Sequence, residues 1–348
     1  MKKNKVLMLG PARNVKGGMT TVVDGYFNAG LQNKVSLKYI ETVNDNGNIS
    51  KILKMLTGFF QFIVNLPFYK IIHIHMASRM SSYRKGIYVR ISKFFGKKVI
   101  LHIHGAEYKI FYGKECSIKQ KKYVRKTLKL ADNIIVLSEE WKEYFETLVD
   151  KNKIVILYNA IILPKDFDKN LDTYDMLFLG RIGDRKGIFD LIDVLKELVL
   201  EYPSLKLYVG GDGEVEKLQK IIKKNNLEKN IKYIGWVSEN KKSEYLKKAS
   251  YYILPSYNEG MPMSVLEGMA YKNVTISTNV GGISKIIKNN YNGIMIEPGD
   301  KEALKKSLVD LFNNSKKREK LSINARKTIE EKFNADKNII ELIRLYNK

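Results

Sequence analysis

Glu259-Gly260-Met261-Pro262-Met263-Ser264-Val265-Leu266-Glu267-Gly268-Met269-Ala270 sets two glutamates seven residues apart around a Gly-Met-Pro turn. The fixed φ and missing N–H of proline suit the first position of a helix, so the stretch predicts a helix that opens at Pro262. Glu259 then lies in the loop before it, and Glu267 lies roughly 7–8 Å along the axis at 1.5 Å per residue. Free backbone N–H groups of Met263 to Leu266 would point out at the positive end of the helix dipole, which favours an anion. The element offers a carboxylate, an anion cradle and a second carboxylate. A nucleotide sugar presents sugar hydroxyls, a diphosphate and ribose hydroxyls in that order.

Working outward, Tyr251-Tyr252-Ile253-Leu254-Pro255-Ser256 reads as an apolar strand ending in Pro-Ser, and Gly180-Arg181-Ile182-Gly183-Asp184-Arg185-Lys186-Gly187 as a basic glycine loop. Near the start, Gly10 closes a strand and Gly17-Gly18 open a helix. In this order the segments resemble family 4 of the retaining glycosyltransferases, with its E-x7-E motif, its GR-x4-KG phosphate loop and its N-terminal glycine loop. The resemblance extends over nearly the whole chain. It implies the α/β architecture called GT-B, two Rossmann-like domains whose parallel sheets face a central cleft.

Periodicity independently places strands alternating with helices in both halves, the pattern of parallel sheets covered on both faces. The expected strands are 5–9, 36–40, 71–75, 99–104, 133–138 and 154–157, then 175–179, 205–210, 231–234, 251–254, 274–277 and 293–296. The chain has 348 residues, of which 44% are apolar, enough for two cores. An N-terminal domain is expected over 1–160, a linker over 161–174, a donor-binding domain over 175–325, and a helix over 326–348 that returns to the first domain.

The resemblance assigns roles residue by residue. Glu259 is expected at the donor sugar and Glu267 at the ribose, with Gly260, Met261, Pro262, Met263 and Ser264 forming the cradle between them. Glu-Gly-Met-Pro replaces the commoner Glu-x-Phe-Gly, which leaves donor identity open. Arg181 and Lys186 would neutralise the leaving diphosphate, Arg181 by paired hydrogen bonds and Lys186 as a point charge. Arg185 is expected to be solvated. Gly17 and Gly18 would let backbone approach the diphosphate, Gly211-Asp212-Gly213 would line the nucleotide pocket, and Trp236-Val237 would hold the base or form a turn over a buried Trp.

All four histidines fall in two His-Ile-His pairs, 73/75 and 102/104. The segment Leu101-His102-Ile103-His104-Gly105-Ala106-Glu107 resembles the family's strand end whose histidine reaches the donor sugar, here His104. His75 is expected to line the same space, with His73 and His102 packed inside. A zinc site is the competing reading and is not adopted, so no metal is assigned. Glu107 could bind acceptor or cap a helix. Asp166-Phe167-Asp168 matches the metal-binding Asp-x-Asp string but falls in the linker, and is read as non-functional.

Residues 1–170 hold 30 Lys and Arg against 13 Asp and Glu, and residues 171–348 hold 31 against 24, so the basic excess is concentrated in the first half. Arg84 to Lys98 reads as an amphipathic helix, apolar at Ile87, Ile91, Phe94 and Phe95, with Arg84, Arg90, Lys93 and Lys97 assigned to the acceptor or membrane side; Lys119 to Lys129 is a second basic segment. Solvation, nucleic acid and an anionic membrane compete for this charge, and nucleic acid is set aside because no binding module accompanies it. The apolar stretch 49–74 is interrupted by Lys51, Lys54, Gln61, Asn65 and Pro67, and is read as a core helix followed by a buried strand. The single Cys116 allows no internal disulfide, and Met1 leads straight into a strand without a secretory pattern. A cytoplasmic protein peripheral to the inner membrane face is expected.

These readings converge on a metal-independent, retaining transferase. It would move a hexosyl or N-acetylhexosaminyl group from a nucleotide-diphosphate sugar, UDP-linked rather than GDP-linked, to a glycan acceptor on a lipid pyrophosphate carrier in capsule or other surface-glycan assembly. No other cofactor is expected. A nucleotide-sugar 2-epimerase on the same architecture is the alternative.

Overall fold

The computed structural model describes residues 3–165 and 167–348, so Asp166 of the Asp-x-Asp string lies outside the described residues. Runs such as Val6-Leu7-Met8-Leu9 carry no exposed surface, as expected of strands covered on both faces. The first sheet contains β1 (Lys5–Gly10), β2 (Ser36–Glu41), β3 (Ile71–Met76), β4 (Lys98–Ile103), β5 (Asn133–Val136) and β6 (Ile154–Ile156). They pair in parallel in the order β2-β1-β3-β4-β5-β6. The second sheet contains β7 (Asp175–Leu179), β8 (Lys206–Gly210), β9 (Ile231–Gly235), β10 (Tyr251–Leu254), β11 (Val274–Thr278) and β12 (Ile294–Ile296). Its order is β12-β11-β10-β7-β8-β9, again all parallel. Helices connect successive strands, which gives the expected α/β class.

The chain divides into two compact units, 1–162 with 334–348, and 163–333. The helix Ser315–Lys332 thus belongs to the second unit, and the return to the first begins at Asn334, where Ile161 and Asn334 form a bridge. The final helix Ala335–Asn347 buries Ile339, Leu342, Leu345 and Tyr346. Within the polar segment before β7, the Lys169 ammonium donates to the carbonyls of Leu246 (2.8 Å) and Lys247 (3.1 Å), so this stretch is pinned to the second unit.

Two helices of the first unit differ from expectation. Asn48–Asn65, read as a core helix, buries only Gly58 and Phe62, although the strand that follows it, β3, is wholly buried. The expected amphipathic helix spans Met80–Phe94, and its apolar Ile87 and Phe94 face solvent, as does Phe95 just beyond it. Its basic side instead packs inward. The Arg90 guanidinium stacks 3.8 Å from the Tyr123 ring centroid and donates to the Gly86 carbonyl and to Thr127 Oγ1. Lys93 pairs with Asp132 at 2.8 Å, Lys97 donates to the Pro67 carbonyl, and Arg84 donates to the Met80 carbonyl. Tyr123, Thr127 and Asp132 lie on or just after the helix Ile118–Leu130, so the charges hold two helices together.

Candidate functional site

In the second sheet the strand order reverses between β7 and β10, which are adjacent although the chain runs from β7 outward through β8 and β9 before returning to β10. Loops at the carboxyl ends of strands on either side of such a switch point diverge and leave a crevice. The Gly180–Gly187 loop leaves β7, and the Pro255–Pro262 loop leaves β10.

These two loops are joined by their own side chains. Lys186 Nζ lies 2.5 Å from Glu259 Oε1, and Ser256 Oγ donates to the same oxygen at 2.7 Å. Both ends of the ion pair are largely shielded, with side-chain exposures of 13% and 6%. Arg185 is not solvated as expected: its guanidinium donates to the Asn258 carbonyl, while the Arg185 carbonyl accepts from the Tyr257 N–H, both at 2.9 Å. Arg181 is exposed, and its guanidinium has no partner among the described residues. The crossing is tight at Gly187, whose φ is +68° and whose Cβ, if present, would sit 2.0 Å from the Pro255 carbonyl oxygen. Gly187→Ala is therefore expected to force the loops apart, lowering stability by about 1–3 kcal/mol and loosening the Lys186–Glu259 contact, which a denaturant midpoint would read.

The helix carrying the second glutamate spans Met263–Ala270, with Pro262 as its cap at φ −70° and ψ 120° rather than as its first residue. The Val265 and Leu266 N–H groups turn back to the Pro262 carbonyl at 3.2 and 3.5 Å, so of the four amides expected to face an anion only those of Met263 and Ser264 stay without a partner among the described residues. Gly268 lets the helix lie directly on Tyr252 of β10, and Arg326 donates to the Ala270 carbonyl at its far end. Glu267 pairs with Lys242 at 2.7 Å, and Lys242 also reaches Glu239. Burial works against the Lys242 charge, but the two carboxylates outweigh it and raise its pKa. Burial raises the Glu267 carboxyl, against the pull of Lys242. A charged Lys242 at hydrogen-bond distance favours the Glu267 carboxylate, so the two form an ion pair.

Around this centre the Gly211-Asp212-Gly213 loop pairs with the Arg181 loop: the Ile182 N–H donates to the Asp212 carbonyl at 2.6 Å, and the Glu214 N–H to the Ile182 carbonyl at 3.0 Å. Trp236 is 45% exposed just beyond β9, which removes the reading of a turn over a buried Trp. Val237 leans over the end of β8, within 2.8 Å of where a Gly210 Cβ would be.

The remaining candidates lie in the first unit. Gly17 caps the helix Gly18–Asn28, and apart from the chain next to them and the helix's own backbone nothing lies within 4 Å of the Cβ position of either glycine, so their outer faces are open. His73, His75 and His102 are all buried and His104 is partly exposed, which corrects the expectation that His75 lines open space. His104 Nε2 and His75 Nδ1 are 2.8 Å apart, and Tyr346 Oη is 2.7 Å from His73 Nδ1. Ligand nitrogens of the three buried rings lie within 4.8 Å of one another. The rings stack, with interplanar angles of 15°, 20° and 30°. Burial pushes the pKa of His73 and of His104 down to about 3, so these rings are neutral. Glu107 is ion-paired with Arg79, which also holds Glu115, and makes no side-chain cap to the short helix after it.

Lys242 and Lys85 were missed from the sequence, whereas Arg185 was singled out but read as solvated. Lys85 is buried against Thr42 Oγ1 at 2.5 Å, and burial drives its pKa well below the usual lysine value. An isolated lysine in a basic helix carries no local signal of this.

Comparison with known proteins places the chain. Residues 161–328 match the family described as Glycosyl transferases group 1, and residues 45–163 match Glycosyltransferase Family 4. An uncharacterized glycosyltransferase of Methanocaldococcus jannaschii is 30% identical over 72% of this chain and 68% of its own. The UDP-Gal:alpha-D-GlcNAc-diphosphoundecaprenol alpha-1,3-galactosyltransferase of Escherichia coli is 26% identical over 91% of this chain and 84% of its own. Sucrose-phosphate synthase from Thermosynechococcus elongatus superposes with a TM-score of 0.83 at 17% identity, covering 99% of this chain and 98% of that one, a likeness of fold. The protein belongs to the group 1, family 4 glycosyltransferases and has their GT-B fold.

Proposed function

We propose that the protein is a retaining, metal-independent transferase that takes a hexosyl or N-acetylhexosaminyl group from a UDP-sugar and delivers it to a glycan carried on a lipid diphosphate during surface-glycan assembly. The observation that carries this reading is the shielded Lys186–Glu259 pair at the switch point, beside the exposed Arg181 and the bare Met263 and Ser264 amides. As the glycosidic bond breaks, negative charge grows on the departing diphosphate. Arg181, Lys186 and the two amides take up that charge, and donors aimed at a developing charge stabilise the transition state more than the ground state. Glu267 receives the ribose hydroxyls, for which Lys242 keeps its carboxylate ionised, and Trp236 offers a face to the base. Glu259 stands at the sugar end. The Escherichia coli relative, by its name, uses UDP-galactose and an undecaprenol-diphosphate acceptor, which supports both the donor class and the acceptor class. The epimerase alternative draws no support from these relatives.

Arg181 and Lys186 supply the charge that a metal would otherwise bring. Transfer measured with a panel of UDP-sugars is therefore expected to continue in EDTA, whereas Lys186→Ala is expected to lose about 3–4 kcal/mol of transition-state stabilisation. Activity abolished by the chelator and restored by manganese would overturn the metal-independent reading.

A further inference from the structure

The helix Asn48–Asn65 is apolar on the side turned away from the protein. Ile49, Ile52, Leu53, Leu56, Phe60 and Val64 recur at i, i+3, i+4, i+7, i+11 and i+15, one continuous stripe of an α-helix, and all are exposed, Ile49 at 78%, Leu56 at 62% and Phe60 at 69%. Amphipathic helices of water-soluble domains turn such a stripe toward the core. Here the inner side is held by other means. Gly58 lies so close to β2 that a Cβ would meet the Glu41 carbonyl oxygen at 2.4 Å. Lys54 pairs with Glu41 at 2.7 Å, and Phe59 and Phe62 pack edge-on against Tyr88. The stripe continues through Phe68, 65% exposed, to Phe94 and Phe95, 85% and 59% exposed, whose helix end is tied back by the Lys97 bond to the Pro67 carbonyl. Exposed patches of this size mark an interaction surface.

We propose that this face is seated in the interfacial layer of an anionic lipid bilayer, with the helix lying along the membrane plane. The inference rests on the lipid-linked acceptor proposed above. Asn48–Phe68 has the length and composition to cross a membrane, but its inner side is committed to β2 and Tyr88, so it lies on the surface instead. The charge pattern chooses the partner. Between Asp45 and Glu107 the chain holds ten Lys and Arg and no Asp or Glu; Lys54, Arg79 and Lys93 are ion-paired, Arg90 turns inward and Lys85 is buried, which leaves the charge of the stripe's own surround to Lys51 and Lys70. Lys51 near the start of the stripe and Lys70 just beyond its end are both exposed, placed to meet anionic headgroups while the apolar side chains enter the acyl boundary. A second copy of the chain would bring two such basic surrounds together and is disfavoured by like charge.

Flotation of the full chain with vesicles of phosphatidylglycerol and phosphatidylethanolamine tests this. The parent is expected to float, the Leu56→Ser/Phe60→Ser double variant to lose at least about tenfold in partitioning, and the Lys51→Gln/Lys70→Gln variant about tenfold, on anionic vesicles only. Calorimetry with UDP on the same samples is expected to give equal affinities, since none of these residues belongs to the nucleotide site, and light scattering to give a monomer throughout. Parent protein that stays with the soluble fraction, or an apolar double variant that still floats, would overturn the docking face. A dimer that the double variant dissociates would overturn it in favour of self-association. Loss of UDP binding in the parent would instead count against the proposed donor and leave the flotation result standing.

Discussion

Glu259→Gln is expected to lower turnover by about 10²–10⁴-fold while UDP affinity stays the same or rises slightly. In the proposed donor pose the carboxylate stands at the sugar, and it pairs with Lys186 at 2.5 Å. Glutamine keeps an acceptor for Lys186 and Ser256 but removes the charge, so Lys186 is freed for the diphosphate as the charge that helps the sugar react is lost. Glu267→Gln should behave differently. A grip on ribose acts in ground and transition states alike, so its loss raises the Michaelis constant and the UDP dissociation constant together, by about 1.5–3 kcal/mol for a hydrogen bond to a charged group. The variant also leaves the buried Lys242 with Glu239 alone, which adds to the cost. UDP lacks the sugar, so calorimetry with it separates the two. Loss of UDP binding in Glu259→Gln with retention in Glu267→Gln would reverse the order of ligand along this segment.

Mild acid is expected to unfold the first unit before the second. His73 is buried, and its pKa falls from the ordinary 6.5 to about 3 in the fold; burial moves His75 and His102 in the same direction. A histidine whose folded pKa is depressed contributes stability that is full above its unfolded pKa and is lost as pH falls toward the folded one. Between those limits the unfolded chain binds the extra protons. The window thus opens near pH 6.5, and a ring like His73 alone costs about 2 kcal/mol near pH 5, with the other two adding to it. The chain has only two tryptophans. Trp141 is buried in the first unit, and Trp236 is half-exposed in the second. A Trp236→Phe protein reports on the first unit alone. Its urea midpoint should fall steeply between pH 6.5 and 5, and a flat midpoint would mean that these rings gain no protons on unfolding.

The strands were legible because parallel strands buried on both faces read as short apolar runs closed by glycine, proline or serine, and every expected strand is found to within two residues at its ends. The Lys186 and Glu259 loops were legible for the same reason, since each follows such a run directly. Helix orientation was not. Periodicity locates a stripe on Asn48–Asn65 and on Met80–Phe94, but not what covers it; the reading of the first as a core helix failed, and so did the assignment of Arg90 and Lys93 to an outward basic face. Arg90 and Lys93 went inward because Tyr123, Thr127 and Asp132, distant in sequence, satisfy them. Lys242 was invisible for a related cause: it lies 25 residues before Glu267, with no spacing to announce the pair.

The bridge between Ile161 and Asn334 has a consequence for the order of assembly. Residues 163–333 are all synthesised before the helix that covers His73 with Tyr346, so the second unit has its whole sequence while the first still lacks its last element. The usual sequence, in which the domain made first is also finished first, is inverted here. Until Asn334–Lys348 emerges, the nascent first unit carries an uncovered patch over its histidines as well as the apolar outer stripe of Asn48–Asn65. The half made earliest is the half that most needs shelter during synthesis.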